Sequence, residues 1–430
     1  MRPLLLVTAF YAMVLAFLIG VRPLWLDEII QVLDSRHATA GEVVRQVRYS
    51  PGSAPLGTLV QHWTLDATGY SAWKARLPAA VFGVGCVLLT GLVALELGLA
   101  RPWLAAALFG VLPLTLRYAA EARGYSQAMF CALLATLLFL RLARNPTPAT
   151  ALFYCLALAA AIYTQPYAAL PAGAHVLWAV LSRKGKAALY STGAGVVAVL
   201  AFLPWFLWAR GNWTSSVNSG NLHFFATFRT PLMLFRELSG AGYWGSGLLL
   251  LLCVLGAMRL RADRPTLAFL LLSVTVPVVG VFAADAVFDY FLAARQMLWI
   301  LPPAALLASA AQRPAGVALA VLLLAVSLYK SAMYFSSREE DWDAAARALA
   351  VEVQRGACLE LATPGTLVYL QFFVPHLGRA ACDSSTVVAA ITPYTAAGER
   401  EALLRRLEAE GYATRATRRA GGTTLVLLRR

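Results

Sequence analysis

The chain has 430 residues, 60% of them hydrophobic and 13% charged, and its mean hydropathy is +0.66; this balance excludes a soluble globular domain. A net charge of +14 does not mark a nucleic-acid binder here, because lysine and arginine fall in short clusters between apolar runs, where the positive-inside rule puts them. The sequence reads as a polytopic membrane protein, with the lipid bilayer as its medium and no nucleic acid as partner.

Apolar segments long enough to cross a bilayer, at roughly 17 to 25 residues each, fall near 3–21, 77–99, 102–118, 124–142, 149–164, 166–182, 187–209, 244–260, 265–284, 291–309 and 314–332. They predict a mainly α, polytopic helical bundle of about eleven spans. No A-x-A-like cleavage site follows the apolar run at 4–20, so that run reads as a retained first span. With Arg2 inside, alternate loops carry Arg101, then Arg141 and Arg144, then Arg183, Lys184 and Lys186, then Arg259, Arg261 and Arg264, then Arg313, with Asp263 their one acid. These loops face the cytoplasm in this reading, as does the N-terminus. The loops 21–76 and 210–243 and the tail 334–430 then lie outside.

Within the first outer loop, "TAGEVVRQV" and "APLGTLVQHWTL" have the apolar spacing of short amphipathic surface helices, with Thr39 or Ser53 available as caps. The Gly/Asn/Ser-rich, aromatic loop 210–243 suits either a flap over a substrate or a passive linker. Beyond a membrane domain at 1–333, the tail changes character. "EEDWDAAARALAVEVQ", "GTLVYLQFFVPHL" and "EREALLRRLEAEG" read as helices, and "ACLELA" and "TTLVLL" as strands, giving a small extracytoplasmic α/β domain at 334–430. Cys86, Cys131, Cys155 and Cys253 lie in apolar runs and read as packing residues. Cys358 and Cys382 lie in the tail, where an oxidising compartment permits a disulfide.

Three polar constellations sit at the outer ends of spans. Asp27 and Glu28 follow "RPLW", with Trp25 as an interfacial anchor; as a pair they suit either acid chemistry or the N-terminus of the next helix. The hairpin "RYAAEARGYSQAMF" holds Arg117, Glu121, Arg123, Tyr125 and Gln127 at or near hydrocarbon depth. Charges there cost roughly 2.5 to 3.5 kcal/mol each and so pair or face a polar cavity; a Glu121/Arg123 ion pair is the plain alternative to a site. In "DAVFDYFLAARQMLWILPP", Arg295 and Gln296 lie one turn into the tenth span, beyond Asp285 and Asp289. Arg295 either snorkels to headgroups or holds a phosphate with its planar fork. Lys74 and Arg76, in "YSAWKARLPAAVFG", add positive charge where the first loop re-enters the membrane.

The ordered set "LWLDE", "AWKARLPAAVFGV", "EARGYSQAMFCALLATLLFLR", "ARQMLWILPP" and "REEDWDAAARALA" resembles the GT-C glycosyltransferases. It is most similar to the bacterial branch related to protein mannosyltransferases, the lipid A aminoarabinose transferase and rhizobial galacturonosyltransferases. The resemblance implies a bacterial inner-membrane enzyme that moves a sugar from a polyprenyl-phosphate donor to a glycan, lipid or protein acceptor, with inversion. It implies Asp27 as catalytic base with Glu28 as its partner. Arg295, Arg123, Lys74 and Arg76 would hold the donor phosphate, with Glu121, Tyr125 and Gln296 in support. No cofactor and no catalytic metal are implied. The chain departs from the family in one place: "SPGSAPLGTL" stands where a His-Pro-Pro run is common. A lipid-linked glycan flippase or transporter, and a glycan polymerase or ligase, are the competing readings.

Overall fold

The computed structural model describes residues 1–50, 52–217, 228–288, 293–378 and 383–430. Packing divides the chain into two units, Met1–Ile19 with Asp34–Tyr334, and Gly20–Leu33 with Phe335–Arg430. The segment that carries Asp27 and Glu28 thus packs with the tail.

The larger unit is helical. After α1 (Arg2–Leu18), helix α2 (Leu26–Ser35) straddles the division between units. Helix α3 (Ala40–Val47) starts at a capping box: Glu42 N donates to Thr39 Oγ1 at 3.3 Å, and Thr39 N donates to Glu42 Oε2 at 3.1 Å. Helix α4 (Pro55–Thr68) starts on a proline after Ala54 with no side-chain cap. Ser53 is therefore not its cap; the Ser53 carbonyl instead accepts Trp205 Nε1 at 3.2 Å.

The apolar windows become α5 (Ala72–Glu96), α6 (Pro102–Val111), α7 (Pro113–Ala119), α8 (Tyr125–Arg144), α9 (Pro148–Thr164), α10 (Leu170–Leu181) and α11 (Gly185–Val217). After α12 (Thr230–Leu238) come α13 (Gly242–Leu260), α14 (Arg264–Phe288), α15 (Leu301–Ser309) and α16 (Pro314–Ser336). Among the described residues, six helices are long and apolar enough to cross a membrane: α5, α8, α11, α13, α14 and α16. The pair α6 and α7, bent by 76°, makes up to seven, and Arg2–Leu18, Pro148–Thr164 and Pro166–Leu181 are shorter apolar helices. Every expected span meets a helix, but length and composition do not establish eleven crossings. Proline accounts for the interruptions: Pro113, Pro166 and Pro302 each stand in the first turn of a new helical segment, where a missing N–H does no harm. The window 291–309 falls on a 3₁₀ segment, Ala294–Ile300, and on the buried α15, neither of which spans alone.

His175, inside α10, joins three helices. Its Nδ1 lies 3.0 Å from the Tyr154 hydroxyl of α9 and its Nε2 lies 3.2 Å from Thr136 Oγ1 of α8. Its ring stacks on Phe139 at 4.6 Å between centroids. An imidazole can satisfy both neighbours in hydrocarbon surroundings, where an unpaired polar group is costly.

The smaller unit carries α17 (Trp342–Gln354), β1 (Ala357–Leu361), α18 (Leu367–Gln371), β2 (Asp383–Ile391), α19 (Ala397–Ala409), β3 (Ala413–Ala420) and β4 (Thr423–Arg429). The sheet order is β1-β2-β4-β3, with β1 and β2 parallel and the other pairs antiparallel. Val387, Ala389 and Ile391 of β2, Leu403 and Leu407 of α19, and Val426 and Leu428 of β4 form its core. Strands β2 and β3 were not expected from the sequence, and the helix expected over "GTLVYLQFFVPHL" is only the short α18 with a 3₁₀ turn before it. Cys358 is disulfide-bonded, Cys382 lies outside the described residues, and the four cysteines of the apolar runs are free.

Replacing His175 by Ala removes a stacked ring and strands the Tyr154 hydroxyl. Thermal unfolding in detergent is expected to show a loss of about 1 to 3 kcal/mol, with Thr136→Ala costing less.

Candidate active site

The structure gathers the polar residues of interest into two sets, one in each unit. In the smaller unit Asp27 and Glu28 occupy the first turn of α2, where exposed N–H groups favour carboxylates. Glu28 is fully buried and its Oε2 accepts Trp25 N at 3.3 Å, closing the start of the helix. Asp27 is half-buried.

The adjacent amide is held from a distance in sequence. Leu26 N donates to Glu340 Oε1 at 2.8 Å. The same carboxylate oxygen accepts Trp342 Nε1 at 3.1 Å and the Tyr394 hydroxyl at 2.9 Å. Trp342 is buried and stacks with Tyr394 at 6.2 Å between centroids. Glu340 therefore fixes the backbone immediately before Asp27 to the body of the small unit. Sequence reading assigned it no role.

In the larger unit the hairpin between α7 and α8 forms a polar node. Glu121 is 3% exposed. Its Oε1 accepts Arg117 Nε at 2.7 Å and also the Tyr334 hydroxyl from the end of α16. Its Oε2 is buried with no hydrogen-bond partner among the described residues. The ion pair is thus Glu121/Arg117, and not Glu121/Arg123. The Arg117 guanidinium also lies over the Tyr334 ring, 5.0 Å from its centroid. Tyr118 and Tyr125 rings sit 4.7 Å apart, Arg123 lies 5.6 Å from the Tyr125 centroid, and Arg295 is within electrostatic reach of Tyr118. Arg117, Arg123 and Arg295 thus cluster around two tyrosines and a buried carboxylate.

Arg123 also interacts with Asp34, near the end of α2. Asp34 accepts Ser50 Oγ at 2.9 Å and is nearly inaccessible. Burial holds its carboxyl above the ordinary range, partly offset by the Ser50 and Gln46 hydrogen bonds and by the charges of Arg123 and His37. The signal for Asp34 was present in the sequence: it stands seven residues after Asp27, two turns along one helix face.

The remaining expected residues are engaged locally. Arg76 is buried and donates to the Ile19 carbonyl at 2.9 Å, tying α5 to the end of α1. Lys74 Nζ donates to the Thr68 carbonyl at the end of α4. Gln296 accepts Ala293 N at 3.0 Å and caps its own 3₁₀ segment. Asp289 lies outside the described residues. Among the described residues no group of three or more His, Cys, Asp or Glu side chains is arranged to hold a metal ion.

No family model matches the chain. No curated protein matches it either. Solved structures do: ArnT from Cupriavidus metallidurans, both bound to undecaprenyl phosphate and in the apo state, aligns with a TM-score of 0.60 and 15% identity. Each alignment covers 98% of this chain and 97% of the other. The oligosaccharyltransferase of Archaeoglobus fulgidus aligns at a TM-score of 0.47 and 12% identity, over 80% of this chain and 55% of that one. The fold is accordingly like that of ArnT, and the resemblance drawn from the sequence motifs holds at the level of architecture.

Glu340→Ala leaves three donors without their shared acceptor, a loss of about 1 to 3 kcal/mol. Hydrogen exchange at the amides of 26–33 is expected to speed up at least about tenfold, whereas Glu340→Gln, which keeps one acceptor oxygen, should change it less.

Proposed function

We propose that the protein is an integral membrane glycosyltransferase that moves a sugar from a polyprenyl phosphate to an envelope acceptor hydroxyl on the extracytoplasmic side. The observation that carries this reading is the likeness in fold to ArnT through 98% of the chain, in a structure that holds undecaprenyl phosphate. The arginine cluster of the larger unit supports it, since guanidinium forks match phosphate oxygens. The disulfide at Cys358 supports an oxidising, extracytoplasmic setting for the tail.

In this reading the donor is already activated. As the bond between the anomeric carbon and the phosphate oxygen breaks, positive charge develops on the sugar and negative charge on the departing phosphate. Asp27 takes the proton of the incoming hydroxyl, whose oxygen forms the new bond on the opposite face, so the anomeric centre inverts. General-base catalysis of this kind contributes roughly 10² to 10⁴ in rate. Glu28, buried and bonded to Trp25 N, holds the helix start on which Asp27 sits. Arg123 and Arg295 supply fixed positive charge to the leaving phosphate. Glu121 holds Arg117 and Tyr334, and Tyr125 backs Arg123, so these residues orient the cations. Arg76 and Lys74, bound to backbone carbonyls, brace the frame in which the phosphate is held.

The test is transfer in nanodiscs from a panel of polyprenyl-phosphate sugars to envelope extract. Asp27→Asn is expected to lower turnover at least about a hundredfold in a folded protein. Arg295→Ala and Arg123→Ala are each expected to lower kcat/KM for the donor by about 10- to 100-fold. Equal turnover by wild type and Asp27→Asn would refute the base assignment. Lipid crossing the bilayer with no donor consumed would replace the transferase with a flippase.

A further inference from the structure

At the end of the helical unit remote from Tyr334 there is a cavity of about 760 Å³. Helix α16 runs from Pro314 to Ser336, so at 1.5 Å per residue Arg313 and Tyr334 stand about 30 Å apart along it. The cavity lies between the last turn of α13 with its following loop, which contribute Leu255, Met258, Arg259 and Arg261, and the turn from α15 to α16, which contributes Gln312 and Arg313. Its volume falls within the roughly 300 to 1,000 Å³ of small-molecule sites.

The positive-inside rule explains why arginines stand in these loops, but not why three of them converge on one cavity. Elsewhere some cations in comparable loops are satisfied. Arg141 and Arg144 share Glu96, the first at 3.0 Å, and Lys184 Nζ donates to the Ala143 carbonyl at 3.0 Å. Among the described residues Arg259, Arg261 and Arg313 form no salt bridge, and the nearby acid Asp263 is turned away to cap α14, its Oδ1 accepting Thr266 N at 3.3 Å. The three guanidinium groups are exposed at the cavity and together offer it concentrated positive charge.

The walls are built on close backbone packing. A Cβ on Gly256 would meet the Leu307 carbonyl oxygen at 1.8 Å, and one on Gly316 would meet the Ala311 carbonyl oxygen at 1.9 Å. Only glycine lets α13 rest on α15, and α16 turn back on the end of α15, at these separations. The cavity is therefore framed by rigid contacts, with apolar Leu255 and Met258 beside the cations.

We propose that this cavity binds the phosphate headgroup of an anionic phospholipid, with Arg259, Arg261 and Arg313 on the phosphate and Leu255 and Met258 against the first methylenes of its chains. A basic pocket at the ends of membrane helices suits such headgroups, and the apolar wall selects a lipid over a free anion. The inference does not depend on the transferase reading.

The test is native mass spectrometry of the delipidated full-length protein, titrated with phosphatidylglycerol or with phosphatidylcholine. Wild type is expected to retain one phosphatidylglycerol, and R259Q/R261Q/R313Q to bind it at least about tenfold more weakly. R313Q alone should weaken it severalfold, which gives a reading if the triple variant fails to fold. R101Q, in a loop outside this cavity, should retain it. Equal retention by wild type and R313Q, equal retention of phosphatidylcholine, or displacement by equimolar inorganic phosphate would overturn the proposal.

Discussion

The helical unit depends on one buried carboxylate. Glu121 sits in a two-helix turn that needs nothing more than a few polar residues to reverse the chain, yet it receives Arg117 from one turn before and Tyr334 from the far end of the unit's sequence. A lone carboxylate or guanidinium at that depth would cost several kcal/mol. The pair removes that cost only when α7, the turn and α16 are all in place, so one interaction fixes three segments. Arg117 neutralises that charge, so the gathering of Arg123 and Arg295 beside the two tyrosines is a separate feature of the node.

The smaller unit also centres on a carboxylate, but with a different role. Glu340 is a carboxylate surrounded by neutral donors, from an indole, a phenol and a backbone amide. It organises backbone geometry, not charge. A helix start bearing two acids needs its first N–H groups satisfied and its entry angle set; Glu28 does the first locally and Glu340 does the second from the tail. Asp27 is left in the half-exposed position that an acid needs if it is to exchange a proton.

Much of this was legible in the sequence, where the chemistry is local. The apolar windows found their helices, the Thr39 capping box could be read from "TAGE", and the charges of "RYAAEARGY" announced a polar node because charge inside a membrane always needs a reason. What was not legible depends on contacts distant in sequence. Nothing in "REEDWD" separates Glu340 from its acidic neighbours until Leu26 arrives to bond it. Tyr334 looked like one more aromatic at a helix end. Strand β3, "ATRATRRA", has too little apolar content to be read as a strand; it is an edge strand with charged residues facing water, held by its pairing with β4. That Arg76 lies buried and donates to the Ile19 carbonyl at the end of α1 is likewise a property of the packed helices alone.

The bend between α6 and α7 carries a consequence for biosynthesis. Pro113 interrupts the helix, and the amide of Leu114 that follows is satisfied by the carbonyl of Ser239, with Gly240 at φ +75° pressed so close that a Cβ there would sit 2.5 Å from that nitrogen. A nascent chain inserted as far as α11 therefore holds an exposed hydrogen-bond donor in the membrane, with no partner until translation reaches the turn before α13. The bundle cannot mature strictly in the order in which it emerges from the ribosome. Its early half carries an amide whose native acceptor, the Ser239 carbonyl, is synthesised much later.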